Sequence, residues 1–242
     1  SLTGIKRIIF KKTLQLCDKG IVLSSSLRKN LTPFLKENQI FELENFVEDF
    51  LFEKKSTKKW DKLRIIYLSN LMTEKGIFDL LESLQILAKN NIVFEAKIAG
   101  GIDASVEQEI MKKLKSLPSC VEYVGLVYGD HKRKLLHWGN TFVFPTYYAM
   151  EGQPISIFEA MATGNIILTT EHAGIPDVFK EEVNGFYIEK KSPTSIASKL
   201  QMMSKNMSEY KLISEGNIKE ASEKYRVENF ISKLNVILKY KK

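Results

Sequence analysis

The chain has 242 residues, 44% hydrophobic and 27% charged, a balance that supports a buried core and excludes a largely disordered polypeptide. Its formal charge of +7 favours an anionic partner such as a phosphorylated small molecule, whereas scattered lysines without a zinc-finger spacing or an RNA-binding aromatic signature argue against nucleic acid. Two cysteines, Cys17 and Cys120, with no Cys-x-x-Cys spacing exclude a disulfide scaffold or a zinc site, and the apolar runs fall far short of the roughly 18 to 20 residues that span a bilayer.

In chain order, residues 5–17 read as a helix, 20–24 as a strand, 26–36 as a helix and 40–43 as a strand, one βαβ unit. Periodicity then lapses between residues 44 and 63, where Glu53-Lys54-Lys55-Ser56-Thr57-Lys58-Lys59 crowds charge together, the mark of a linker. A second series begins with the strand 63–69. The helix after it places Ile77, Leu80, Leu81, Leu84 and Ala88 on one face. Strands at 92–99, 121–125, 141–145, 166–170 and 185–188 alternate with helices near 106–117, 130–138, 155–163 and 175–180, and from residue 192 onward only helices are expected. The fold class predicted is α/β: a doubly wound parallel sheet, Rossmann-like, with a helical C-terminal tail. The tail 225–242 reads as an amphipathic helix with a basic end.

Ligands of such sheets bind beyond the carboxyl ends of the strands, so the loops 69–76, 100–103, 125–128 and 145–156 are the places to search. The last is the richest. Gly152-Gln153-Pro154 turns the chain into a helix near Ile155, and Gly164 stands where a left-handed C-cap is favoured. The N–H groups of the first helical turn form an anion site, to which the helix dipole contributes up to about 2 kcal/mol. Glu151 before that helix and Glu159 on its second turn supply carboxylates, good acceptors for sugar or ribose hydroxyls. Lys75 opens a helix, where a cation is disfavoured unless an anion binds. The histidines His131, His137 and His172 lack ligand spacing.

The segment 151–159 matches the E-x7-E motif, and around it lie Glu74-Lys75-Gly76, Ala99-Gly100-Gly101, Gly125, Pro145-Thr146, Ala173-Gly174-Ile175-Pro176-Asp177 and Asn184-Gly185-Phe186. In this order and near this spacing, they resemble the C-terminal, nucleotide-sugar-binding domain of family 4 retaining glycosyltransferases, which is half of a GT-B fold. Residues 1–45 resemble the end of that family's N-terminal acceptor domain. The resemblance implies an interdomain linker at 46–62, a donor domain at 63–205 and C-terminal helices at 206–242 packing back across the boundary.

It also implies roles. Glu159 resembles the acid that holds the ribose hydroxyls, Glu151 the one facing the transferred sugar, and Lys75 the lysine that neutralises the diphosphate. Asn70, Gly100, Gly101 and Gly152 would line the donor site, the backbone of Gln153, Pro154, Ile155 and Ser156 would meet phosphate and sugar oxygens, and the backbone near Val127 would meet the base. No Asp-x-Asp pair occurs, so neither a metal nor a cofactor is expected, the nucleotide sugar being a substrate. The family commonly has Gly-Arg where this chain has Ser69-Asn70. Loss of that second cation is expected to weaken donor binding by about ten- to more than a hundredfold.

The function expected is transfer of a sugar from a UDP-, GDP- or ADP-linked donor to a glycan or lipid-linked acceptor, in bacterial surface polysaccharide synthesis. With most of the acceptor domain missing, the chain is expected to bind donor and turn over poorly. The location expected is cytoplasmic, with a peripheral contact at the inner membrane face. A nucleotide-sugar epimerase of the same fold and a non-catalytic nucleotide-binding or interaction module stay open as alternatives, to be separated by titration with a donor panel.

Overall fold

The computed structural model describes residues 4–53 and 58–239. The first segment holds helix α1 (Gly4–Gln15), strand β1 (Gly20–Val22) and strand β2 (Ile40–Glu42), the strands pairing in parallel with Gly20 opposite Ile40. Between them the expected α-helix at 26–36 is instead a 3-10 helix, Ser25–Asn30, followed by turns. Pro33 explains the difference, because proline biases Thr32 away from helical backbone and removes a donor. The apolar spacing still serves packing. Leu27, Leu31 and Phe34 lie against Val22, Leu35 and Ile40 in a small core of their own.

The charged centre of the expected linker, Lys54-Lys55-Ser56-Thr57, lies outside the described residues, as do residues 1–3 and the basic end of the tail at 240–242. Val47 donates its N–H to the Tyr225 carbonyl at 2.7 Å, and Asp49–Leu51 forms a 3-10 turn with Leu51 fully buried.

The main body carries strand β3 (Leu63–Leu68), helix α2 (Ile77–Lys89), strand β4 (Phe94–Ala99), helix α3 (Glu107–Lys115), strand β5 (Val121–Gly125), helix α4 (Gly129–Trp138) and strand β6 (Thr141–Phe144). After these come helix α5 (Ile155–Ala162), strand β7 (Ile166–Thr169), strand β8 (Gly185–Tyr187) and helices α6 (Pro193–Ser204), α7 (Lys211–Lys224) and α8 (Val227–Lys239). The helix expected at 175–180 is only a 3-10 turn, Ile175–Asp177, with Pro176 inside it.

Six strands form one parallel sheet in the order β5-β4-β3-β6-β7-β8. The chain winds outward from β3 to β5, then returns to the other side of β3 at β6. That reversal places the loops after β3 and β6 side by side, the crevice where doubly wound sheets bind ligands.

Strands β6 and β7 are buried along their whole length because helices cover both faces, whereas β4 and β5 carry the charged Glu95, Lys97 and Glu122. On one face, Ile77, Leu80, Leu81, Leu84 and Leu87 of α2 pack with α6 over Ile65, Ile98 and Leu168; Leu87 is fully buried, and Ala88, expected on that stripe, is only partly so. On the other, Leu135 and Leu136 of α4, Phe158 and Met161 of α5 and Ala221 of α7 cover Ile66, Phe142, Phe144 and Ile167. Helix α8 returns to the first segment, with Phe46 and Phe230 rings 4.7 Å apart and Lys233 bonded to Glu44 at 3.1 Å. Lys19 donates to the Ile237 carbonyl at 2.5 Å.

Candidate functional site

Helix α5 begins where proline fixes the chain. Pro154 is its N-cap, with extended backbone and no side-chain cap bond, so the first-turn amides are not capped from within. At its other end Gly164, with φ of +71°, donates to Met161 O at 2.9 Å while Asn165 donates to Ala160 O at 2.9 Å. This is the left-handed cap expected from Gly164, with both bonds of the Schellman arrangement.

The turn before α5 is pinned from two sides. Gln153 is buried; its Oε1 accepts from Asn45 N at 2.8 Å, and its carbonyl accepts from Asn45 Nδ2 at 2.7 Å. Its Nε2 is buried with no hydrogen-bond partner among the described residues, an uncommitted donor beside the helix start. Gly152 accepts the Gly174 N–H at 3.0 Å. Ile155 is exposed and Ser156 half-buried, so the first turn of α5 reaches the surface.

Lys75 ends the 3-10 turn Thr73–Lys75 in the loop after β3, and Glu151 stands in the loop after β6. Their side chains meet. Lys75 Nζ lies 2.6 Å from Glu151 Oε2, with 14% and 8% of the two side chains exposed. The Thr146 hydroxyl donates to the same carboxylate oxygen at 3.1 Å, and the ammonium sits 4.9 Å from the Tyr148 ring centre. The loops themselves are tied together, since Tyr147 N donates to Glu74 O at 2.8 Å and the buried Tyr67 hydroxyl donates to Asn70 O at 3.0 Å. Burial raises the Tyr67 pKa well above the ordinary phenol value, so that hydroxyl stays a donor.

Glu159 is not part of that pair. Its carboxylate is 8% exposed and bonded to Lys132 of α4 at 2.5 Å; Lys132 also reaches Glu48 at 3.1 Å. Burial raises the Glu159 pKa, opposed by Lys132. The Lys132 ammonium is raised too, burial working against it but the two acids prevailing.

The other expected residues are dispersed around these pairs. Asn70 is exposed. Gly101 ties the loop after β4 to that after β3, its carbonyl accepting from Leu71 N at 2.8 Å, while Gly100 O accepts from the hydroxyl of Tyr123 on β5 at 2.8 Å. Val127 lines a separate cavity of about 410 Å³ with Lys97, Val124, His131 and Trp138, to which none of the other expected site residues contributes. Among the described residues no cluster of three or more His, Cys, Asp and Glu side chains is placed to hold a metal ion, and no helix is long and apolar enough to cross a membrane.

The sequence reading missed Lys132 and Asn45, and it gave Thr146, which stands in the Pro145-Thr146 match, no role of its own. Lys132 was open to the argument applied to Lys75, a cation in the early part of a helix where the dipole disfavours it unless an anion is near.

The same fold occurs in S. aureus TarM, in a structure with Fondaparinux, alpha-GlcNAc-glycerol and UDP, with a TM-score of 0.80 at 21% identity over 98% of this chain and 47% of that one. It also occurs in Anabaena HepE, solved with UDP and glucose, with a TM-score of 0.79 at 14% identity over 96% of this chain and 66% of that one. In sequence the chain is 29% identical over 146 residues to the amylovoran biosynthesis glycosyltransferase AmsK of Erwinia amylovora, covering 59% of this chain and 36% of that protein. The chain thus spans well under two thirds of that curated relative. The family model for glycosyl transferases group 1 matches residues 49–221, nearly all of the six-stranded body and the segment leading into it, and the chain belongs to that family.

Proposed function

We propose that this chain is the donor half of a retaining, family 4 glycosyltransferase that takes a sugar from a nucleotide diphosphate without a metal ion. The observation that carries the reading is the Lys75–Glu151 pair, 2.6 Å apart, where the loops after β3 and β6 meet beside the start of α5. Lys75 and the backbone N–H groups of Gln153, Ile155 and Ser156 bind the diphosphate. Glu151 accepts from hydroxyls of the transferred sugar, and Glu159 from those of the ribose. The TarM and HepE structures with UDP support a nucleotide ligand for this fold.

Breaking the bond between the anomeric carbon and the phosphate oxygen leaves negative charge on the diphosphate. A lysine and preorganised amides stabilise that developing charge without needing to reorganise. The domain reading is part of the proposal: 1–45 the end of an acceptor domain, 46–62 the linker, 63–205 the donor domain and 206–242 the helices that cross back. The acceptor is a glycan or lipid-linked sugar held by a further domain, reached at the inner face of a bacterial membrane, in polysaccharide synthesis of the kind named for AmsK.

Calorimetric titration with UDP-, GDP- and ADP-sugars and the free nucleotides tests this. Glu159→Ala is expected to weaken binding of the nucleotide itself, by about tenfold or more if one charge-assisted hydrogen bond is lost. Glu151→Ala is expected to weaken the sugar-bearing donor more than the free nucleotide. Equal and negligible effects of both changes remove the assignment.

A further inference from the structure

Glu159 stands on the second turn of α5 with 8% of its side chain exposed, and its near-complete burial favours a neutral acid. A neutral carboxylic acid has lost one of the acceptor oxygens that a cis-diol of ribose needs, since one oxygen then carries the proton. Something must keep it charged. The groups facing it are Lys132 from α4, at 2.5 Å and only 17% exposed, and Glu48 from the segment before β3, which reaches the same ammonium at 3.1 Å. Glu48 is 58% exposed, so its charge is satisfied by water as much as by the lysine. The buried acid is the member of the trio that depends on the cation.

We propose that Lys132, outside every motif of the sequence, is the positioning residue for the ribose-binding acid: its ammonium holds the Glu159 carboxylate in charged, fixed form between α4 and α5, and Glu48 anchors that lysine to the segment entering the donor domain. The inference rests on the donor-site reading of Glu159. Lys132 itself need not touch the nucleotide; it acts through the acid. A donor whose ribose lacks the 2′-hydroxyl gains little from a charged Glu159, and therefore little from Lys132.

The test is calorimetric titration of the wild-type chain, Lys132→Met and Lys132→Arg with UDP, GDP and ADP and with their 2′-deoxy forms, at pH 6 and pH 8. Thermal melts verify that each variant is folded. The wild type is expected to prefer the ribose form, and Lys132→Met to lose that preference, by about tenfold. The loss is expected to be larger at pH 6, where an unpaired buried acid holds its proton. Lys132→Arg keeps the charge and restores most of the preference. If the wild type prefers ribose and Lys132→Met retains both the preference and its pH profile, the Lys132–Glu159 pair is structural only and the inference fails alone. If the wild type binds none of these nucleotides, the donor-site reading fails and takes the inference with it.

Discussion

Gly76 joins the 3-10 turn that ends at Lys75 to the start of α2, with φ of +75°. An alanine there meets two separate penalties. The left-handed backbone costs a residue with a Cβ about 1 to 2 kcal/mol. The added carbon also runs into the Pro145 carbonyl oxygen and lies 2.6 Å from the Pro145 ring and 2.9 Å from its carbonyl carbon, well inside the roughly 3.5 Å of favourable contact. Relief requires the loop after β6 to move, at about 1 to 3 kcal/mol for overpacking. Gly76→Ala is therefore expected to lose about 2 to 5 kcal/mol in urea unfolding. The same movement displaces Thr146, whose hydroxyl holds Glu151, and shifts Lys75 on the facing loop, so nucleotide-sugar binding should fall even in the folded fraction. Gly216 is the internal control. It lies in the middle of α7 with open space around the position of a Cβ, so Gly216→Ala should stabilise by about 0.5 to 1 kcal/mol. Equal midpoints for Gly76→Ala and the wild type, with donor binding intact, would refute the reasoning that the two loops are locked through this glycine.

Two further expectations concern the frame around the site. Asn217 of α7 is fully buried and bonds Asn165 O at 2.8 Å, Asn184 O at 3.0 Å and Asn184 Nδ2 at 2.8 Å; Asn217→Leu strands those groups and should cost roughly 3 kcal/mol or more in denaturant unfolding, and a cost under 1 kcal/mol would show the network to be idle. Burial lowers the Lys58 ammonium to about 7, so above that pH the unfolded chain binds a proton that the folded chain does not, and stability rises with pH until the unfolded lysine also titrates near 10.4. The expected gain is at most about 1.4 kcal/mol per pH unit. Lys58→Met should flatten the wild-type slope between pH 7 and pH 9.5, whereas parallel curves would mean that the three oxygens around it, Leu136 O, Gly139 O and Asn165 Oδ1, keep it charged.

The sheet was legible because burial on both faces writes its centre as apolar runs, Phe142-Val143-Phe144 and Ile166-Ile167-Leu168 being buried throughout, and because Gly and Pro mark the turns. The start of α5 could be read for the same reason: Gly152, Pro154 and Gly164 are backbone requirements, and these survive in any sequence that makes the turn. Residues 26–36 misled because Leu27, Leu31, Phe34 and Leu35 keep helical spacing while Pro33 forbids the helix. The partners of the site residues were hidden for another reason. Asn45 and Gln153 are 108 positions apart and Lys132 and Glu159 are 27 apart, and no local period links such pairs. Only Lys75 and Glu151, each attached to a recognisable loop, could be matched before the fold brought those loops together.

That match has an energetic consequence. Lys75 and Glu151 are mostly buried, and each is tolerable only because the other is there; deleting one member of such a pair leaves an uncompensated charge at a cost of about 3 to 5 kcal/mol. On the roles proposed above, the pair keeps the cation that would meet the phosphate neutralised by the acid that would face the sugar. A diphosphate arriving at the helix start competes for that cation, and the acid it releases is free to accept from the hydroxyls of the attached sugar. A free diphosphate offers the first exchange and not the second. Binding of a complete nucleotide sugar should accordingly exceed that of its nucleotide in the wild type, and the advantage should vanish in Glu151→Ala while the nucleotide alone binds at least as well, since its lysine no longer has a competitor.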